Sequence, residues 1–425
     1  MRDKFKKNII EFQERKLPDL VPREYIIPTD TKKIVSLIGI RRSGKTSILF
    51  NMIKQLSVTV GIENIIYINF EDDRLFGLEL KDLDDLLEAY YELYPDKRTQ
   101  TVYLFLDEIQ NIKNWELFVR RIYDTLRLQL FITGSSSKLL SAEIASCLRG
   151  RTITFEIFPF SFREYLQYKN IKINLHSPRS LNYIKNAFDS YLKAGGFPEC
   201  INEDKFIRSK ILSDYMNLII YKDIIERYNI KNKQLLRHLI KYCFINIGTL
   251  LSFNKLYNQY KSLGYKLSKD SLFEYFSYLE EAYTLFKVPI YRESRKEQLR
   301  NPKKIYAVDN ALKGMFEFSF SEDYSKLYEN LTFLHLRRQS SEIYYFSQHQ
   351  EVDFYTVIDG KKLLINVCFS LDSIETRQRE LSGLLEAMKF LNINESFLLT
   401  KSEEAIEKID NHIINIIPLF KYLLQ

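Results

Sequence analysis

Between residues 33 and 158, short apolar runs alternate with stretches of helical spacing. The runs are IVSLIG (34–39), NIIYINF (64–70), VYLFLD (102–107), LQLFIT (128–133) and ITFEIF (153–158). Most are apolar on both faces, the mark of parallel strands covered by helices on either side. The intervening segments 45–57, 79–94, 114–127 and 137–147 have helical periodicity and composition. The pattern predicts an α/β doubly wound domain with its crevice at the carboxyl ends of the strands. Ahead of it, residues 1–30 read as an amphipathic helix and an arm punctuated by Pro18, Pro22 and Pro28.

After Pro159 the pattern changes to long, aromatic-rich helices, broken by a glycine turn at GGFPE (195–199). Residues 235–290 read as a winged-helix unit. It would hold helices near 235–246 and 252–263, a third starting at Ser268, and strand material for a wing in YTLFKVPIY (283–291). The last segment returns to mixed α/β: a helix near 323–339, strands near 342–346, 351–358 and 362–369, a helix near 374–390 and a strand at 395–400. The expected domains are an N-terminal helix and arm (1–30), the α/β core (31–158), a helical lid region (159–230), the winged helix (231–310) and a small α/β domain (311–425).

Composition narrows the class. The chain has 425 residues, 45% hydrophobic and 28% charged, enough for several packed cores. No uncharged apolar run reaches membrane-spanning length, so no membrane is expected as partner. The start MRDKFKKNII is charged rather than signal-like. Four dispersed cysteines (Cys147, Cys200, Cys243, Cys368) without a CxxC pair argue against a zinc or disulfide framework and suit a cytoplasmic setting. The net charge of +7 is unevenly spread, since residues 231–310 hold 15 Lys/Arg against seven Asp/Glu. That segment is either a solvated lysine-rich face or the footprint of an anionic partner, most often nucleic acid.

The sharpest chemical signal is Gly39-Ile40-Arg41-Arg42-Ser43-Gly44-Lys45-Thr46, a full GxxxxGK[ST] string between the first strand and the first helix of the core. Its backbone N–H groups and the helix N-terminus would cradle phosphate, so Gly39, Arg41, Arg42, Ser43, Gly44, Lys45, Thr46 and Ser47 are the expected nucleotide contacts. Lys45 should reach the β/γ-phosphates and Thr46 should hold Mg²⁺. The run Tyr103-Leu104-Phe105-Leu106-Asp107-Glu108 ends a buried strand in two carboxylates. Asp107 would then face the metal and Glu108 would deprotonate the attacking water. Thr133, Ser135 and Ser136 follow another buried strand and are candidates to sense the γ-phosphate. Arg149 and Arg151 are candidate arginine fingers, in cis or across a subunit interface, the latter requiring a homo-oligomer. Glu71-Asp72-Asp73 sit at the same edge, as a helix cap or with a nucleotide role.

Together, GIRRSGKT, YLFLDEIQNIKNWE, FITGSSSKLLS, LRGRTITFEIFPFSFREYL, GGFPE and Glu351-Val352-Asp353-Phe354 resemble the prokaryotic AAA-type P-loop ATPases of the AAA+/STAND-like division. The likeness is closest to a subfamily with a C-terminal domain of unknown function. The resemblance implies ATP binding, an AAA-like sheet order, a winged helix and a terminal restriction-endonuclease-like fold. Nucleases of that fold need an acid at the start of one strand and then acid-x-Lys on the next. Glu329 and Asp353 fit the first positions, but Asn366 stands for the next acid and Cys368 for the lysine, so the resemblance implies a degenerate site retained for structure or docking. The expected activity is a Mg²⁺-dependent ATP-hydrolysing switch or motor that binds ATP and ADP and engages DNA through residues 231–310. The alternatives are a nucleotide-gated scaffold for a protein partner and, last, an ATP-coupled nuclease.

Overall fold

In the computed structural model, the described residues are 1–135, 148, 150–316 and 323–425. The chain divides into two compact units, Met1–Phe158 and Pro159–Gln425.

The first unit is built on five parallel strands, β1 (Ile34–Ile38), β2 (Ile65–Asn69), β3 (Val102–Asp107), β4 (Leu128–Gly134) and β5 (Thr152–Glu156), in the order β2-β3-β4-β1-β5. This is a P-loop α/β fold in which β4 separates the strand leading into the phosphate loop from the strand ending in the acid pair. The register places Ile38 beside Gly134 and Asn69 beside Asp107, which lines up the functional ends along one edge. Helix Lys45–Val60 buries Ile48, Leu49, Met52, Ile53 and Leu56 against the sheet. Helix Arg2–Glu14 turns Phe5, Ile9 and Phe12 inward, and the Phe12 ring stacks on Tyr67 of β2 with centroids 4.4 Å apart. Spacing predicted one helix over 79–94. Instead a 3₁₀ turn at Leu80–Asp82, closed by a Glu79/Asp82 capping box, precedes helix Leu83–Leu93. The helix expected at 137–147 lies outside the described residues.

The second unit begins with Phe162–Tyr168, started by a Ser161/Glu164 capping box, and continues with helix Pro178–Ala194. At Gly195 (φ +72°) the chain turns so closely past Asp309 that a Cβ would lie 1.8 Å from its Oδ1. The Gly196 N–H then donates to Asp309 Oδ2 at 2.7 Å, and Phe160 N–H donates to the Gly196 carbonyl at 2.8 Å. Helix Lys205–Leu218 runs on into a π-helical stretch, Ile219–Glu226. Helix Lys233–Ile245, strand β6 (Leu250–Leu251), helices Phe253–Ser262 and Lys269–Glu281, and strands β7 (Leu285–Val288) and β8 (Lys303–Ala307) follow, with an antiparallel sheet ordered β6-β8-β7. Ser268 caps its helix by accepting from Ser271 N–H at 3.0 Å.

The chain closes on a six-stranded mixed sheet ordered β13-β14-β12-β11-β10-β9, packed against helices Tyr324–Arg337 and Ile374–Leu391. Its strands are β9 (Ile343–Ser347), β10 (Glu351–Ile358), β11 (Lys361–Val367), β12 (Glu395–Thr400), β13 (Ala405–Ile409) and β14 (His412–Pro418). Strands β8, β13 and β14 were not expected from the sequence. β8 reads KKIYA, with its two lysines hiding the apolar half, and β13–β14 turn on Asp410-Asn411 with Asp410 at φ +52°. No described helix is long and apolar enough to cross a membrane.

Candidate nucleotide-binding and hydrolysis site

The phosphate loop leaves β1 at Gly39, whose φ of +145° and the carbonyl of Ile157, 2.2 Å from any added Cβ, admit only glycine. Gly44 (φ +96°) starts helix Lys45–Val60, so the helix N-terminus points into the loop. Lys45 is buried, donates to the carbonyls of Gly39 and Ile40 at 3.1 Å each, and lies 3.8 Å from Glu108 Oε1. Arg41 pairs with Glu71 at 2.8 Å, Arg42 is exposed, and Ser47 is half-buried in the first helical turn. The Ser43 hydroxyl is buried with no hydrogen-bond partner, as a side chain meant for a phosphate oxygen would be. Arg23, from the proline-punctuated arm, donates to the Ser43 carbonyl at 2.8 Å and the Phe158 carbonyl at 2.6 Å, clamping the loop. A cavity of about 620 Å³ opens beside Thr46, lined also by Phe12, Phe50, Tyr67, Asn69 and Glu71.

Asp107 is fully buried, and three hydroxyls converge on it. Thr46 and Tyr67 each donate to Oδ2 at 2.8 Å, and Thr133 donates to Oδ1. Burial pushes the Asp107 carboxyl up, the Thr133 bond opposes this, and the neighbouring Glu108 adds to the rise. A carboxylate raised in this way gains from a hard cation, and the Thr46 and Asp107 oxygens together fit Mg²⁺. A Mg²⁺ ion held by Thr46 and Asp107 would supply positive charge against the phosphates of a bound nucleotide.

Glu108 sits in the left-handed region at φ +53°, a strained backbone of the kind found at working sites. Its N–H donates to Thr133 Oγ1 at 2.9 Å, while its carboxylate accepts from Ser135 N–H at 3.2 Å and from the Gln110 amide. Burial pushes Glu108 up, but the Lys45 charge and the Gln110 bond outweigh it, and the net shift is downward. The two adjacent acids are thus shifted in opposite directions, Asp107 upward and Glu108 downward.

Thr133 and Ser135 therefore join the acid pair, while Ser136 and Arg149 lie outside the described residues. Arg151 calls for a correction. It precedes β5, at the amino edge of the sheet opposite the phosphate loop, and forks onto Asp124 at 2.9 and 3.0 Å. It cannot reach the loop of its own chain. Asp72 proves to be a cap, its carboxylate accepting from Arg74 N–H. Tyr67, Gln110 and Arg23 were not singled out in the sequence. Only Tyr67 left a trace, as a hydroxyl inside an apolar run.

In the second unit, Glu329, Asp353 and Asn366 come together. Asp353 N–H donates to Asn366 Oδ1 at 3.0 Å, and the Asn366 amide donates to Glu380. Cys368 lies within electrostatic reach of Asp353 and Glu380 but supplies no cation. Its thiol donates to the Ser370 carbonyl at 3.1 Å and burial pushes it up to about 11, so it is no thiolate. The cation that the second strand lacks is present in space, because Lys304 of β8 lies 3.0 Å from Glu329 and 2.7 Å from Asp353.

Comparison with known proteins agrees with the first unit's geometry. Residues 31–166 match the AAA domain family, and residues 185–320 match a domain of unknown function, DUF8612. The uncharacterized protein MJ1544 of Methanocaldococcus jannaschii is 35% identical over 427 residues, covering 95% of this chain and 91% of that protein. An uncharacterized Haemophilus influenzae protein is 29% identical over 81% of this chain and 84% of its own length. Among solved structures, the Aeropyrum pernix ORC1 protein in complex with DNA aligns at 12% identity and a TM-score of 0.29, over 74% of this chain and 90% of that one. Caenorhabditis elegans PCH-2 aligns at 13% and 0.27, over 45% and 56%. The chain belongs to the same family as MJ1544, with a P-loop AAA-type ATPase domain at residues 31–166.

Proposed function

We propose that the protein is a Mg²⁺-dependent ATP-hydrolysing switch or motor that engages DNA through a winged helix within residues 231–310. The observation that carries hydrolysis, beyond binding, is Glu108. It is ionised, strained and hydrogen-bonded to the Thr133–Ser135 turn, beside the lysine of the phosphate loop. In the mechanism, Lys45 and the loop N–H groups hold the phosphates, Thr46 and Asp107 hold the cation, and Glu108 takes the proton of the attacking water. Thr133 links the two acids, so a change at the γ-phosphate is felt on both strands.

The DNA reading is supported by the order helix, short strand, two helices and antiparallel hairpin over Lys233–Ala307. It is supported too by the exposed Arg295, Lys296 and Arg300 on the connection between β7 and β8. Steady-state ATP hydrolysis of wild type and Glu108→Gln, with and without duplex DNA, tests both parts. Wild-type turnover should rise with DNA, and the variant should lose about 100-fold or more while still binding ATP. Turnover indifferent to DNA favours the protein-partner scaffold. No turnover with ATP bound removes hydrolysis altogether.

A further inference from the structure

Lys304 is 2% exposed, although Lys303, just before it in β8, is only half-buried. Its neighbour Lys303 points the other way and donates to the Asn301 carbonyl at 2.6 Å. The Lys304 ammonium instead meets three carboxylates, at 2.7 Å from Asp353, 2.8 Å from Glu351 and 3.0 Å from Glu329. Three N–H donors thus meet three acids, which exhausts the ammonium. The acids are satisfied as well. Asp353 Oδ2 accepts from Val367 N–H at 2.8 Å, and Glu329 Oε1 also accepts from Tyr306 at 2.7 Å. Burial opposes the Lys304 charge, but the carboxylates, Asp353 first, override it and hold the amine firmly protonated.

This is the position where a hard divalent cation would gather these oxygens. To bind, the metal would have to expel a buried ammonium anchored in a strand between β6 and β7, leaving it without a partner. The same contacts tie β8 to helix Tyr324–Arg337 and to β10. A second seam runs alongside, where Tyr345 N–H donates to the Pro289 carbonyl at 3.0 Å and its hydroxyl to the Pro302 carbonyl at 2.9 Å.

We propose that Lys304 is the resident cation of this acid cluster, excluding divalent metal and serving as an ionic joint that fastens the basic three-stranded sheet to the terminal mixed sheet. The inference does not depend on the ATPase reading. Mn²⁺ binding, followed by electron paramagnetic resonance on nucleotide-free protein carrying Thr46→Ala to silence the phosphate loop, tests it directly. The parent should bind no Mn²⁺ that a further Glu329→Gln removes. Lys304→Met should gain one site, at least about tenfold tighter than any in the parent, and lose it again with Glu329→Gln. Amide exchange in 303–307 and 343–347 should quicken in Lys304→Met. A Mn²⁺ site in the parent that Glu329→Gln abolishes would overturn the proposal, and this comparison needs no Lys304 variant to fold. A folded Lys304→Met protein with no new site, or with unchanged exchange in those strands, would overturn it too.

Discussion

Tyr67 has two jobs that a single substitution separates. Its ring stacks on Phe12 while its hydroxyl donates to Asp107 Oδ2. Tyr67→Phe keeps the ring and removes one donor from a buried carboxylate, which raises the Asp107 pKa further, because hydrogen bonds favour the charged form. The ionised acid is the form that holds Mg²⁺. The acid limb of kcat should therefore move to higher pH by up to about one unit, with more Mg²⁺ needed for half-maximal rate. An unchanged pH profile at limiting Mg²⁺ would detach Tyr67 from the site. At this scale, legibility followed contiguity. Lys45, Thr46, Asp107 and Glu108 stand in short strings whose chemistry depends on spacing alone. Arg23 and Tyr67 reach the same place only because an arm and strand register bring them there. Lys304 is the extreme case, a cation supplied from 25 residues before Glu329 and 49 before Asp353.

Among elements, the joint between the GGFPE turn and Asp309 is sensitive to protonation. The Asp309 carboxylate is fully buried and accepts backbone N–H bonds from Gly196 at 2.7 Å and Ala311 at 2.8 Å. Burial pushes it up from 3.8 to about 6 in spite of those bonds. Between those values the folded state binds the proton more tightly than the unfolded chain, so this group's contribution to stability falls as pH rises through that window. Asp309→Asn cannot titrate. Wild type should therefore lose on the order of 2 kcal/mol of stability relative to the variant from pH ~4 to pH ~6. Guanidinium unfolding midpoints across that range measure it, and parallel curves would refute it. The sequence showed that the two glycines needed a reason but not which one, since Asp309 lies over a hundred residues away. Helix ends followed the same logic. Ser268 was readable as a start, but the capping box that delays helix Leu83–Leu93 was hidden in a continuous acidic, leucine-rich pattern.

For the whole molecule, counting charge along the chain overstates what a partner would meet. Lys304 is cancelled by three carboxylates and Lys303 is turned onto carbonyls, whereas Arg295, Lys296 and Arg300 face solvent. If DNA is the partner, replacing these three by Ala should lower the salt-dependence slope of duplex binding by roughly 2 to 3, with little dependence on sequence. Fluorescence anisotropy over a salt series reads this, and an unchanged slope would place the phosphate contacts elsewhere. The parallel sheet was legible throughout because most of its strands are apolar on both faces. The terminal sheet was legible only up to β12, because β13 (Ala405-Ile406-Glu407-Lys408-Ile409) lacks an apolar/polar alternation and looks like a solvated loop.

That strand has a consequence of its own. Strand β14 carries Ile413, Ile414, Ile416 and Ile417 and is paired on both sides, by β12 and β13. β13 forms the outer border, with Lys408 exposed and Glu407 held by Arg377 at 2.7 Å. A charged border discourages strangers from adding to the sheet, whereas bare isoleucine-rich backbone invites them. A protease nick that released β13 would uncover this isoleucine-rich edge and invite strand addition from a second chain.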